Sequence, residues 1–478
     1  AADVALLPRG RTAERPMTAA PSNAPAVLLA AAAMAVGGAF YVAFGMDGAA
    51  LEFAAHYGVL DATSRLFLVL INGIFFGVAT HVVGSAADPD RDVGTRLPRF
   101  TLLALLFMLM CNLAVLSRHL LMMLVFLELS TIAAAPLVRH GRSAASMYAS
   151  WRYLLFSTVG LGLAWLGAAC LVHGMEGHGA DPSFFLDGIS RASHEGKLPW
   201  RRVGVALLVL GIGTKLALAP MYAWLPETYE AAPPPVTALL AAVQFNVALV
   251  AVWRLLQVLG PVDAQLMRSM LMTLGMVTMV ASAFGIIATR RYRRLIAYAS
   301  LNHGGVIAVG LGLGQTAAYG VLIYVVSNAI IKAILFLTAG KIRAVYATED
   351  VGEVTGLLKD LPYTGVFFMM GTFALLGFPP FGSFLGELII MRELIRVDQF
   401  LVFGGLCTTL TATFVATGRS VFPMIWGDSR RTTAVPRAPM GSLIPKLVFV
   451  VFLVAMGIHL PAPISALFRQ VASNLGGA

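Results

Sequence analysis

The sequence has little of what keeps a protein of its length soluble. Only 12% of its 478 residues are Asp, Glu, Lys or Arg, against 58% hydrophobic. That imbalance excludes a soluble globular fold and points to a polytopic membrane protein. Cysteine is nearly absent. Cys111, Cys170 and Cys407 stand in separate apolar runs without CxxC spacing, so they read as small core residues, and no disulfide framework is indicated. No phosphate loop, haem pair, zinc spacing or nucleophile motif occurs. The expectation is therefore a chain with no catalytic centre, metal or cofactor of its own, whose partners do not include nucleic acid.

Long apolar runs are what the chain does have. Lipid admits only helices or closed barrels, and runs of this length select helices. About thirteen reach the roughly 20 residues needed to cross a bilayer: 26–45, 65–85, 99–116, 119–137, 150–172, 203–223, 235–257, 266–288, 294–313, 316–340, 364–391, 400–424 and 445–463. The polar first 25 residues carry Arg9, Arg11 and Arg15 and lack the apolar core of a signal peptide, so the first span could serve as an uncleaved anchor. The net charge of +10 matters through its placement. Arg139, Arg142, Arg152, the run Arg290–Arg294, Lys341, Arg343, Lys359, Arg419, Arg430, Arg431 and Arg437 fall on the side of the N-terminus. Asp47, Glu52 and Asp61 fall opposite, with the mixed 174–202 loop. This bias predicts a cytoplasmic N-terminus and an outer C-terminus. The Arg290–Arg294 run reads as an anchor at the lipid headgroups, or as a docking site for a partner.

Within the spans, ionisable residues are few. Glu128 sits in LLMMLVFLELSTIAAAPLV, and Lys215 ends a run that meets Pro220. A proline inside a helix kinks or breaks it, and a charge beside a break at membrane depth is a functional site by default. Glu128 is either a neutral, hydrogen-bonded acid or the ion-pair partner of Lys215, whose sign and depth match. Glu227 and Glu230 read as solvated acids in the turn before the Pro233–Pro235 run. Gln244 and Asn246 are either helix–helix glue or supports for a water wire. His303, with Ser300 on the same face, is either a proton relay or a packing residue. Tyr324, Asn328 and Lys332 at i, i+4 and i+8 form one polar stripe, and Lys332 is expected to face inward. A second interrupted segment, GTFALLGFPPFGSFLGELIIM, carries Glu387 beyond Pro379–Pro380.

The halves look alike: Glu128 precedes Lys215 at one break, and Lys332 precedes Glu387 at the other. Spans three to seven and eight to twelve form two groups of five, and an odd count per repeat inverts the second copy. The expected fold is all-α, with two inverted five-helix repeats (99–257 and 266–424), each containing a broken helix. A 1–25 tail and N-terminal helices (26–98) precede them, and a C-terminal helix and tail (445–478) follow. The Glu–Lys–Lys–Glu series suits cation transport, with the proton as leading candidate.

The stretch GTKLALAPMYAWLPETYEAAPPPVTALL, with RRLIAYASLNHGG, NAIIKAILFLTAGKI and GFPPFGSFLGE, resembles the antiporter-type subunits of respiratory complex I, Mrp sodium/proton antiporters and group 4 hydrogenases. The wording is most similar to hydrogenase-4 component F, including Asn246 where most relatives carry lysine and the connection DVGEVTGLLKDLP. The resemblance covers about residues 65–460. It implies that Glu128, Lys215, Lys332 and Glu387 are proton-transfer groups, with His303 among them and Tyr222, Gln244, Asn246, Tyr324 and Asn328 as supporting polar residues. Family histidines are replaced by Tyr222, Tyr324 and Asn328, an acid by Asn302, and an aspartate by Glu227. The family's first span has no counterpart before residue 26.

The resemblance further implies a multi-pass subunit of a bacterial inner membrane, beside other membrane subunits and peripheral redox subunits of a complex I-like or hydrogenase-like oxidoreductase. It would move protons, or sodium. The alternatives are a structural membrane-arm subunit that no longer pumps and a transport subunit with a non-redox partner, as in bicarbonate uptake.

Overall fold

The computed structural model describes residues 23–45, 57–85, 97–141, 143–176, 183–192, 198–429, 431 and 438–476. Arg9, Arg11, Arg15, Asp47, Glu52, Arg142, Arg430 and Arg437, which enter the loop-charge pattern, lie outside them. Among the described residues the secondary structure is helical: α1 (Ala24–Phe40), α2 (Ala62–Gly84), α3 (Leu97–Leu116), α4 (Leu120–Val138), α5 (Ala144–His173), α6 (Leu186–Ala192), α7 (Leu198–Lys215), α8 (Trp224–Ala231), α9 (Pro234–Leu239), α10 (Phe245–Val258), α11 (Pro261–Ala288), α12 (Tyr292–Gly312), α13 (Gln315–Tyr346), α14 (Leu357–Asp360), α15 (Pro362–Leu375), α16 (Gly382–Arg396), α17 (Phe400–Trp426), α18 (Met440–Ile458) and α19 (Ala462–Ser473). A π-helical turn, Leu240–Gln244, joins α9 to α10 in one span.

Among the described residues, eleven helices are long and apolar enough to cross a membrane. The two other expected spans, 203–223 and 364–391, are where the chain breaks: α7 stops at Lys215, and α15 gives way to α16 across residues 376–381. The helix ends follow the local sequence. Pro234, Pro261 and Pro362 open helices at their first turn, where the missing N–H costs nothing. Asp61 caps α2 by accepting from the Ser64 amide at 2.9 Å. Burial raises the Asp61 carboxyl, but its bonds with Arg254 and Ser64 outweigh that and hold it below its ordinary value. Its contribution to stability is thus complete above the ordinary carboxylate range and is lost as pH falls through the lowered value.

Burial is graded toward the middle. The most apolar stretches of the α9–α10 span and of α13 are fully buried, while 22% of those in α1 and α17 is buried. One close helix contact is glycine on glycine: a Cβ on Gly84 of α2 would lie 2.2 Å from the carbonyl carbon of Gly441 in the first turn of α18. Of the three cysteines only Cys111 is buried, a correction to their reading as core residues.

The arginine run between α11 and α12 is not a simple headgroup anchor. Arg293 is fully buried and donates to the Tyr229 and Ala232 carbonyls (3.1 and 2.6 Å) and to Glu349 (3.2 Å). Arg291 bonds Glu230, and Arg294 lies 3.9 Å from the same carboxylate. Glu230 is therefore a buried ion-pair partner and not a solvated acid, and Glu227, about one-third exposed, bonds Arg152. The buried pair Arg201–Asp263 (2.5 Å) ties α7 to α11, and the half-buried pair Arg254–Asp61 (2.5 Å) ties α10 to the start of α2. Replacing Arg293 by alanine would strand the two carbonyls and half of the Glu349 pairing. The expected cost is about 3 kcal/mol, read as a lower midpoint of thermal unfolding in detergent. A midpoint within error of wild type would show that this bracket does not hold the fold.

Candidate functional site

Two clusters occupy the enclosed middle of the chain. The first lies where α7 stops. Lys215 is the last residue of α7, five residues before Pro220 rather than at the proline itself. Its ammonium donates to Glu128 Oε2 on α4 at 3.3 Å and also bonds Thr131 Oγ1. Glu128 accepts a second bond from Thr158 Oγ1 at 2.7 Å. Of the two readings of Glu128, the ion pair is the one realised. Gln244, at the end of the π turn, closes the cluster: its amide nitrogen reaches Thr131 Oγ1 at 3.2 Å, and its oxygen accepts from the Tyr153 hydroxyl at 2.6 Å. Lys215 is 4% exposed, so its charge depends on these partners. Its position at a helix C-terminus also favours a cation.

Residues 244 and 245 belong to different clusters. The Phe245 ring meets the Lys332 ammonium of α13, 4.2 Å from its centroid. Lys332, Asn328 and Tyr324 are each 1% exposed or less, so the stripe faces inward as expected. Tyr324 lies 2.6 Å from His303 Nδ1 on α12, and His303 Nε2 lies 2.9 Å from the Leu375 carbonyl at the end of α15. A carbonyl only accepts, so Nε2 carries the hydrogen and Nδ1 accepts from the tyrosine. Ser300 bonds back to the Ile296 carbonyl of its own helix. Asn246 likewise donates to its own helix, at the Ala242 carbonyl, and the side-chain oxygens of Asn246 and Asn328 are buried without a hydrogen-bond partner. Among the described residues no hydrogen bond joins Tyr222 to either cluster.

The two breaks share a backbone pattern at a spacing of 160 residues. Ala217 (φ 52°) and Gly377 (φ 69°) are left-handed, and cis prolines follow at 220 and 380. Leu218 donates to the Gly213 carbonyl, and Phe378 to that of Phe373. The carbonyls of Thr214 and Ala374, which accept from the Ala217 and Gly377 amides (3.2 and 3.3 Å), each take a second donor, Trp224 Nε1 (2.9 Å) and Ser383 Oγ (2.7 Å). In this register Lys215 matches Leu375, and Glu387 matches Glu227. Lys215 and Glu387 are therefore not counterparts: the lysine ends the first half-helix, whereas the glutamate lies in the second turn of α16. Glu387 lines a cleft of about 260 Å³ with Leu376, Phe384, Leu410 and Phe414. A Cβ at Gly377 would lie 2.6 Å from Glu387 Oε2, so glycine is favoured here by its φ, and a side chain would displace the carboxylate.

Sequence reasoning misses several buried ionisable groups: Arg201, Arg254, Asp263 and Glu393, and also His81 on α2 and Lys446 on α18. His81 Nδ1 lies 3.1 Å from the Ser442 carbonyl and so carries the hydrogen there. The signal was present, since Lys446 interrupts the apolar run LIPKLVFVVFLV.

Gly377→Ala should destabilise the chain by about 2 kcal/mol through its φ and the displaced carboxylate. The double variant with Glu387→Ala should recover part of that loss, and unfolding of the four-member cycle measures the coupling. Strict additivity would mean that Gly377 and Glu387 do not meet.

Residues 117–412 match the family described as NADH:quinone oxidoreductase/Mrp antiporter. Hydrogenase-4 component F homolog of Methylacidiphilum infernorum is 27% identical over 428 residues, covering 86% of this chain and 87% of that protein. NADH-quinone oxidoreductase subunit N of Desulforudis audaxviator is 30% identical over 342 residues, covering 69% of this chain and 64% of that protein. In fold, the chain is similar to one in an archaeal membrane-bound sulfane sulfur reductase (TM-score 0.83, 20% identity, 96% and 93% of the two chains covered). It is also similar to one in the Mrp complex of a Dietzia species (TM-score 0.79, 22% identity, 95% and 91% covered). With its broken helices and enclosed charges, the chain belongs to the NADH:quinone oxidoreductase/Mrp antiporter membrane-protein family.

Proposed function

We propose that this antiporter-like subunit moves protons across a bacterial inner membrane within a multisubunit redox assembly of the group 4 hydrogenase or complex I kind. The observation that carries the reading is the Lys215–Glu128 contact at the end of α7. An ammonium with a carboxylate partner inside the bilayer can gain and lose a proton as that partner moves, whereas an exposed lysine has no reason to do either. Lysine stations also favour H⁺ over Na⁺, because an ammonium offers a metal cation no lone pair.

The proton path in this reading runs from Glu128 and Lys215 past Gln244 to Lys332, then by Asn328, Tyr324 and His303 toward Glu387. Buried amide oxygens without a protein partner, as at Asn246 and Asn328, are sites where water completes a hydrogen-bonded chain. Tyr222 stands outside this path. The matching backbone of the two breaks supports two inverted five-helix repeats, 99–257 and 266–424. The loop charges support a cytoplasmic N-terminus and a periplasmic C-terminus. The partners are other membrane subunits, with peripheral redox subunits supplying the energy. A second reading, a membrane arm that no longer pumps, draws on Asn246 and Asn328, since amides cannot carry a proton at neutral pH.

Proton pumping by the reconstituted complex in sealed vesicles separates the two. Lys215→Ala and Glu128→Gln should each lower it by about tenfold or more while leaving subunit composition unchanged. Wild-type pumping by a fully assembled Lys215→Ala complex would leave the structural arm as the correct reading.

A further inference from the structure

A groove of about 630 Å³ between α11 and α17 has no place in the proton path. Its wall is apolar and open: Ile287 and Val415 are 62% and 60% exposed. Its rim is polar and basic, with Arg290 two residues beyond the end of α11, and Arg419 and Ser420 on the last two turns of α17. Both helices are long and apolar enough to cross a membrane, so the wall lies at acyl-chain depth and the rim at headgroup depth.

The charges on this rim differ from those beside them. Arg291 and Arg293 are each engaged by a glutamate. Arg290 and Arg419 are exposed and have no ion pair among the described residues. The one acid lining the groove, Asp350, turns Oδ1 to its own loop and accepts from the Gly352 amide at 2.7 Å. Two guanidiniums against one locally engaged carboxylate leave the rim positive. A guanidinium pair matches the oxygens of a phosphate diester, and the apolar wall below it matches a hydrocarbon chain. A soluble anion would satisfy the rim and leave the wall uncovered.

We propose that this groove is a binding site for an anionic phospholipid, its phosphate held by Arg290 and Arg419 and an acyl chain laid along Ile287 and Val415. The zwitterionic headgroup of phosphatidylcholine brings its own cation to the rim and binds more weakly.

The test is lipid titration of the purified, delipidated complex, followed by native mass spectrometry, with phosphatidylglycerol and phosphatidylcholine in parallel. Phosphatidylglycerol should be preferred. Its affinity should fall about fivefold for Arg290→Gln or Arg419→Gln, and about thirtyfold for the pair at low ionic strength. Val415→Trp, which fills the groove without changing charge, should also weaken binding, and it carries the test if the double variant fails to assemble. Equal binding of the two lipids, affinity unchanged in Val415→Trp, or displacement of the lipid by millimolar inorganic phosphate would each overturn the proposal.

Discussion

A helix that stops inside hydrocarbon frees carbonyls and amides that water cannot reach, and every one left unpaired costs several kcal/mol. The middle of this chain is built around that constraint, met twice. Trp224 and Ser383 add side-chain donors to the carbonyls of Thr214 and Ala374, the last turn before each break. Thr278 of α11 accepts from the Ala219 amide at 2.8 Å, and His303 of α12 takes the Leu375 carbonyl. The donors and acceptors come from helices that pack on the breaks, so the breaks and the bundle specify one another. Arg293 extends this beyond the first break, holding the carbonyls at the ends of α8 to the start of α12.

The same constraint governs where charge can sit. A helix end is a partial charge, negative at its C-terminus and positive at its N-terminus. Lys215 lies at the negative end of α7, and Glu387 lies in the second turn of α16. The lysine has the sign that its own half-helix stabilises, whereas the glutamate sits a turn too far along its half-helix for that end to act on it. A lysine and a glutamate in the two broken segments are thus compatible with one backbone pattern, because they occupy different steps of it.

Much of this was legible in the residues. The long apolar runs gave the helices, proline and glycine marked both interruptions, and matching sign and depth pointed from Lys215 to Glu128. What the chain order could not supply was partnership across long separations. Glu230 and the arginines after α11 look like surface charges because each lies near the end of an apolar run. They lie about sixty residues apart in the chain, and only packing brings them together. The relation between Lys215 and Glu387 failed for another reason: charge and proximity to proline suggested counterparts, whereas hydrogen-bond register decides equivalence. Tyr222 was placed by motif alone, and a motif position does not fix what a side chain reaches.

The polarity of the bonds at His303 limits how charge can pass it. The tyrosine O–H points to Nδ1 and the histidine N–H points to the Leu375 carbonyl, so the series runs one way and ends on an acceptor that cannot hand a proton on. The imidazole can gain a proton at Nδ1 along the existing bond, provided the tyrosine oxygen takes a replacement from its other side. For it to lose the proton at Nε2, the ring must leave the carbonyl. A proton released from Nε2 would therefore uncap α15. The hydrogen bond that would have to break for that release is the one that holds the helix end.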